Sequence, residues 1–141
     1  MKRKVFSVVL ISFVLVLGLT VFGCGGGGGG GGGSNSPSGV YKQAMSAMEK
    51  GDVKKYISFF EPEAAEFMTA LMEEYGDGID SQETKDAAKE EFAKTGGIDK
   101  IEEEIDEDGE NAVLTVTHKD GSTEKVKMVK LDGKWKLSMA K

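Results

Sequence analysis

The single histidine, His118, carries the most versatile chemistry in the chain, because imidazole can exchange protons or bind a metal near neutral pH. It falls in a predicted strand, in step with Leu114 and Val116. Glu124 and Asp120 near the following turn could pair with it for acid–base catalysis, although the pattern favours exposed hairpin positions for both. No second histidine exists to complete a metal site or a nucleophilic triad. The sequence therefore predicts no catalytic residues.

A dense acidic stretch supplies oxygen ligands of the kind that Ca²⁺ prefers. Its carboxylates are Glu102, Glu103, Glu104, Asp106, Glu107, Asp108 and Glu110. The spacing does not match a calcium-binding EF-hand loop, because Gly109 stands fourth from Asp106 instead of sixth. The stretch favours a solvated edge strand whose charges prevent pairing with another chain, so no metal site and no cofactor are predicted.

Methionine and aromatic residues are abundant in the predicted mature chain. The methionines are Met45, Met48, Met68, Met72, Met128 and Met139. Methionine sulfur can bind copper(I), but methionine at helical spacing more often fills a core or lines an adaptable apolar pocket. The residues predicted to line such a pocket are Phe67, Met68, Met72 and Tyr75 on one helix and Trp135 on the last strand. An apolar ligand or a side chain of an envelope protein partner is expected there.

The N-terminal segment has the layout of a secretory signal peptide. Lys2–Lys4 are basic and residues 5–21 form an apolar run. Val21–Cys24 resembles the lipobox of bacterial lipoproteins, and the resemblance implies that Cys24 receives a diacylglyceryl thioether and begins the mature chain. The alternative is a buried or reactive free thiol. With one cysteine in the chain, no intramolecular disulfide can form.

Three regions follow from this layout. Residues 1–23 are predicted to be the lipoprotein signal peptide, and residues 24–39 a lipidated cysteine with a Gly/Ser-rich flexible tether. Residues 40–141 are predicted to be a single α+β domain. Two or more acyl chains hold a protein firmly to a membrane, so membrane attachment through Cys24 needs no spanning helix.

The charge of the chain limits its partners. The 141 residues include 18 basic and 24 acidic ones, and the net charge is -6. Removal of residues 1–23, which hold three basic residues and no acidic one, leaves a net charge of -9. Such an acidic domain is a poor match for nucleic acid, whose phosphates require lysine and arginine clusters.

Apolar periodicity predicts four helices in the first part of the domain. The first begins at Val40, with Ser36 and Pro37 as cap and first turn, and stops at Gly51. The second runs from Val53 to Phe60 and the third from Pro62 to Tyr75. The fourth begins with an Asp80–Glu83 capping box and reaches about Lys94.

Beyond Gly97 the period falls to two. Three Asp-Gly pairs, with glycines at 109, 121 and 133, predict tight hairpins between four antiparallel strands. The strands are predicted at residues 98–107, 111–119, 123–131 and 134–139. A bulge or a two-sided strand is expected in the third, because apolar residues fall on both of its faces. Helices followed by a meander indicate an α+β fold, with the helices on the inner face of a curved sheet.

The run Gly96–Ile98 and the closing segment Val126–Leu137 resemble a family of small bacterial lipoproteins that carry a domain of unknown function. That family is of the nuclear transport factor two-like class, a cystatin-like cone. The resemblance covers roughly Val40 to Met139 and implies helices that line the concave face of a curved four-stranded sheet and leave an apolar mouth. The family has no catalytic residues to transfer.

The sequence thus predicts an extracytoplasmic, lipid-anchored, non-enzymatic binding or interaction module of the cell envelope. A small hydrolase or isomerase that uses the cone pocket is one alternative, and a carrier of an apolar ligand or copper is another. In a host with two membranes, Gly25 after Cys24 favours the outer membrane, because the aspartate associated with inner-membrane retention is absent.

Overall fold

The computed structural model describes residues 34–139, so the predicted signal peptide, Cys24 and the glycine run lie outside the described residues. Within that range four helices precede four strands. The helices are α1 (Pro37–Glu49), α2 (Val53–Ile57), α3 (Pro62–Tyr75) and α4 (Gln82–Thr95), and the strands are β1 (Ile98–Ile105), β2 (Asn111–His118), β3 (Thr123–Leu131) and β4 (Lys134–Leu137). The predicted α+β class is confirmed. No helix between residues 34 and 139 is long and apolar enough to span a bilayer.

The strands form an antiparallel meander in the order β1-β2-β3-β4. Glycines at 109, 121 and 133 have φ values of 69°, 87° and 74° in the three connecting turns, as the Asp-Gly pairs predict. At the last turn Asp132 also has a positive φ, of 50°. Two successive positive φ values are characteristic of the tight hairpin turn whose twist matches that of the strands.

Of the two alternatives predicted for the third strand, the bulge is wrong and the two-sided strand is confirmed. β3 pairs with β2 and β4 without a shift in register, and the one shift in the sheet lies in β1, between Ile98 and Lys100. Val129 and Leu131 simply lie on the outer face, opposite Lys136 and Lys134. An antiparallel sheet that is covered on one face tolerates apolar side chains on the other, so no bulge is needed.

Helix α1 begins and ends two to three residues earlier than predicted, and two other helix boundaries differ for a clear structural reason. The side chain of Ser81, not Asp80, caps α4 by accepting a hydrogen bond from the Thr84 N–H at 3.1 Å. Helix α2 ends at Ile57 because the next residues extend beside β4. There the Leu137 N–H donates to the Phe59 carbonyl at 2.8 Å, and the Glu61 N–H donates to the Leu137 carbonyl at 3.0 Å. This short segment closes the β4 edge of the sheet.

Helix α1 connects two apolar clusters. In the first cluster Tyr41 and Ala44 pack on the inner face of the sheet, against residues that include Leu114 and Trp135. In the second cluster Met48 of α1 packs with α2, α3 and α4. The sheet-side cluster and the helix-side cluster therefore share α1 as their common element.

Candidate functional site

Three polar side chains meet on the inner face of the sheet. Tyr41 of α1 donates its hydroxyl to Oε1 of Glu124 at 2.5 Å, and Nε2 of His118 lies 3.0 Å from the same oxygen. Tyr41 is 2% exposed and His118 is 8% exposed. These three residues are called the polar cluster below.

The register of β2 and β3 places the cluster. Glu124 pairs with Val116 and keeps step with Val126 and Met128, which are both buried. The interpretation of Glu124 as an exposed hairpin residue is therefore wrong, since its alternation with two core residues directs its side chain inward. That alternation is visible in the sequence and could have identified Glu124 as an inward-facing residue.

Asp120, the other predicted partner of His118, does not join the cluster. Its Oδ1 accepts hydrogen bonds from the backbone and hydroxyl of Ser122, at 2.8 and 2.6 Å. These bonds, first the one from the hydroxyl, lower the pKa of Asp120, with a smaller contribution from His118. Asp120 shapes the turn instead.

Glu124, as the hydrogen-bond acceptor, determines which ring nitrogen of His118 carries the proton in their contact. An ionised carboxylate only accepts hydrogen bonds, so Nε2 carries the proton that faces Glu124. Nδ1 of His118 is then buried without a hydrogen-bond partner among the described residues. An unsatisfied buried polar atom costs roughly 1–3 kcal/mol. In the polar cluster, Tyr41 and His118 both face the carboxylate of Glu124, whose side chain is only 20% exposed.

Burial and the charge of Glu124 raise the pKa of two tyrosines, Tyr41 and Tyr56. Burial, followed by the charge of Glu124 and its hydrogen bond, raises the pKa of Tyr41 well above its usual value of 10.0. Burial and then the charge of Glu124 also raise the pKa of Tyr56. Both phenols therefore stay protonated in the folded protein at a pH where free tyrosine ionises.

Stability is expected to fall as the pH rises above 10.0, the usual tyrosine value, because the unfolded chain then releases protons that the folded chain keeps. Tyr41→Phe should flatten this decline by up to about 1.4 kcal/mol per pH unit. Urea unfolding between pH 8 and 11, followed by circular dichroism, measures the slope. Tyr75→Phe, at an exposed position, is the control and should leave the slope unchanged. Equal slopes for wild type and Tyr41→Phe would contradict the burial of the Tyr41 hydroxyl beside Glu124.

A cleft of about 420 Å³ lies between α1, the end of α4 and the start of β1. Its lining combines four apolar residues, one hydroxyl and three charged groups: Met45, Phe92, Ile98, Ile101, Ser46, Lys42, Glu49 and Asp99. Ile98 pairs with His118 across β1 and β2, so the cleft begins one strand away from the polar cluster. The sequence pattern did not identify this cleft, because its walls come from three separate elements.

The five residues predicted to line a pocket are not brought together. Trp135 is buried in the sheet-side cluster, whereas Met68 and Met72 belong to the helix-side cluster. Phe67 is 53% exposed and Tyr75 is 59% exposed. The reason is that α1 covers β4, while α3 packs chiefly on α2. None of the five lines the 420 Å³ cleft.

The acidic stretch serves several separate roles. β1 lies at the edge of the sheet, as predicted. Glu103 accepts a hydrogen bond from the Ser38 N–H at the start of α1, at 2.9 Å. Asp106 accepts from the side chain and backbone of Asn111, and these bonds lower its pKa. In the described part of the chain no three histidine, cysteine or acidic residues are grouped closely enough to hold a metal ion.

Comparison with known proteins identifies a family and a similar structure. A family model described as "Domain of unknown function (DUF4878)" matches residues 30–138. A crystal structure from Campylobacter jejuni, of a protein provisionally described as an NTF2-like transpeptidase, is similar to this chain with 19% sequence identity and a TM-score of 0.45. The similarity covers 74% of this chain and 98% of that one. No curated protein matches the chain.

Proposed function

Since the chain belongs to the DUF4878 family of domains, for which no activity is established, we propose from its own geometry that it is a lipid-anchored, non-enzymatic binding module of the cell envelope. Its ligand enters the cleft between α1, α4 and β1. The lipobox resemblance supports the anchor, and the cleft supports the binding role.

The observation that carries the proposal is the contrast between the cleft and the polar cluster. The cleft is open, and its volume of about 420 Å³ lies within the usual range for small-ligand sites. The polar cluster is closed, because Tyr41 and His118 are buried and both contact Glu124. A ligand in the cleft therefore does not contact Tyr41, His118 or Glu124, none of which lines it.

The lining of the cleft indicates the class of ligand. Met45, Phe92, Ile98 and Ile101 offer an apolar surface. Glu49 and Asp99 contribute two negative charges against the single positive charge of Lys42. The excess of negative charge on these exposed side chains favours a cation over an anion. The cleft accordingly suits a ligand with an apolar group next to a positive charge.

Hexylamine and hexanoate, matched in chain length and opposite in charge, test this preference. Hexylamine is expected to cause saturable shifts in amide NMR signals of cleft residues such as Met45 and Ile101, and hexanoate much smaller ones. Glu49→Gln combined with Asp99→Asn should weaken hexylamine binding severalfold. Glu104→Gln, on the exposed face of β1, is the matched control and should not.

Two results would contradict the proposal that the cleft binds the ligand. One is an equal response to both probes, because the acidic walls would then select nothing. The other is a set of shifts confined to Phe67, Met72 and Tyr75, which would support the pocket predicted on α3.

The anchor rests on the lipobox resemblance at Cys24. Intact mass of the membrane-extracted protein tests it, and a chain that starts at Cys24 and carries acyl groups is expected. A chain that retains Met1 without modification would contradict the anchor.

The hydrogen-bonded polar cluster favours a second candidate, a small hydrolase or isomerase. A carboxylate that faces two donors in a partly buried site can act as a general base once a substrate reaches it. Glu124→Gln separates the two candidates, because it should leave hexylamine binding unchanged if the cleft alone binds the ligand. Loss of the binding signal in a folded Glu124→Gln protein would favour the enzymatic candidate.

A further inference from the structure

A small polar concavity of about 220 Å³ lies between α1 and the start of α2. Its lining residues are Gln43, Ser46, Ala47, Lys50, Asp52 and Lys55. The lining thus combines two lysines, an amide and a hydroxyl with one carboxylate. This concavity is called the lysine pocket below.

The charge balance of the lysine pocket is positive. Oδ1 of Asp52 already accepts a hydrogen bond from the Lys55 N–H at 3.1 Å, as the cap of α2. Lys89 of α4 adds a further positive charge, because its Cε would lie 2.8 Å from a Cβ at Gly51, the residue after Lys50. Lys50, Lys55 and Lys89 are exposed, and none of them forms an ion pair with another described residue. Their ammonium groups remain available to an anion.

The chain that leads to Cys24 meets the domain beside this pocket. The described residues begin at Ser34, whose carbonyl accepts a hydrogen bond from Nε2 of Gln43 at 2.8 Å. Gln43 and Lys50 are seven residues apart, about two helical turns, so they lie on one side of α1. Ser34 follows Cys24 by ten residues, and a Gly-rich chain of that length has an end-to-end distance of roughly 17 Å. A lipidated Cys24 therefore holds this side of α1 near the bilayer.

The acidic strand β1 lies on a different side of α1. There the Ser38 N–H donates to Glu103 of β1 at 2.9 Å. Since a helix turns by about 100° per residue, Ser38 is about 140° around α1 from Gln43. An anionic surface repels the β1 carboxylates and attracts the lysines, and both effects turn the lysine pocket toward the bilayer.

We propose that the lysine pocket binds the phosphate of an anionic phospholipid and so docks the domain on the membrane to which Cys24 attaches it. The docking rests on the membrane anchor of the proposed function. It does not depend on the ligand of the cleft, because Lys50 and Lys55 do not line the cleft. Each lysine near an anionic surface strengthens binding by roughly fivefold. A few lysines are sufficient here, because a tethered group meets the surface at a high effective concentration.

Paramagnetic line broadening in nanodiscs tests the docking. The full chain, labelled with ¹⁵N and extracted from membranes, is placed in discs of phosphatidylcholine with or without phosphatidylglycerol. All discs carry a trace of lipid with a gadolinium chelate on its headgroup. With phosphatidylglycerol, the amide signals of Gly51 and Val53 should lose several times more intensity than that of Glu104. Without it, or at high salt, the difference should disappear, because the attraction is electrostatic.

Two pairs of substitutions locate the contact. Lys50→Gln with Lys55→Gln should weaken docking by about 25-fold and remove the selective broadening. Lys127→Gln with Lys134→Gln removes the same charge from exposed positions on β3 and β4, and this matched control should keep the broadening. Far-UV circular dichroism checks that both variants are folded.

The outcomes separate the docking from the anchor. A chain that does not enter the discs would overturn the anchor and, with it, the docking. Equal broadening at Gly51 and Glu104 in discs with phosphatidylglycerol would overturn the docking alone, and so would selective broadening that survives Lys50→Gln with Lys55→Gln. Glycerol phosphate that binds the pocket in solution as tightly as the discs do would also overturn it and assign the lysines to a soluble anion.

Discussion

Trp135→Ala is expected to lower the free energy of unfolding by about 3–5 kcal/mol, which is the usual range for truncation of a buried large aromatic. Trp135 is 7% exposed and packs in the sheet-side cluster between β4 and α1. Its removal would leave a cavity beside Leu137 and Met128, because the sheet and helix cannot both collapse into the space. Urea unfolding followed by far-UV circular dichroism measures the change without relying on tryptophan fluorescence.

Two matched substitutions identify the source of this loss. Trp135→Phe keeps much of the ring volume and should cost clearly less than Trp135→Ala. Tyr75→Ala removes an aromatic ring that is 59% exposed, and the expected change is within about 0.5 kcal/mol. If Trp135→Ala unfolds at the same urea concentration as wild type, β4 is not packed against α1.

Gly51→Ala is expected to destabilise the protein by about 2–4 kcal/mol, from backbone strain and overpacking together. Gly51 follows α1 with a φ of +72°. A Cβ at this position would lie 2.9 Å from the carbonyl oxygen of Lys85 and 2.8 Å from Cε of Lys89. The lysine side chain can move aside, but the carbonyl oxygen belongs to α4, so the two helices would have to separate.

Gly133→Ala is the control for backbone strain alone. Gly133 has a φ of +74°, and a Cβ added there would meet no atom within 4 Å. Its substitution should cost only about 1–2 kcal/mol, the penalty for a left-handed conformation. Equal losses at the two glycines, measured by urea unfolding, would show that α1 and α4 do not approach this closely.

Local sequence was sufficient to predict most of the secondary structure. The Asp-Gly pairs identified all three hairpins, because a positive φ is a property of the turn residues themselves. Pro62 and Tyr75 were predicted correctly as the limits of α3. Errors occurred where a tertiary contact intervened, as at residues 59–61, which pair with β4 instead of extending α2.

The candidate sites could not be predicted from the sequence without the tertiary structure. Alternation along the strands placed His118 in step with core residues, and the same alternation applies to Glu124. Neither pattern shows that the Tyr41 hydroxyl reaches the Glu124 carboxylate, which lies 83 residues away in sequence. The cleft likewise depends on how closely α1, α4 and β1 approach one another. By itself the sequence determined the elements, the hairpin turns and which residues alternate toward the core, because these depend on neighbours along the chain. Only the tertiary structure decided which inward polar groups meet and where a cleft stays open, because both depend on packing between distant elements.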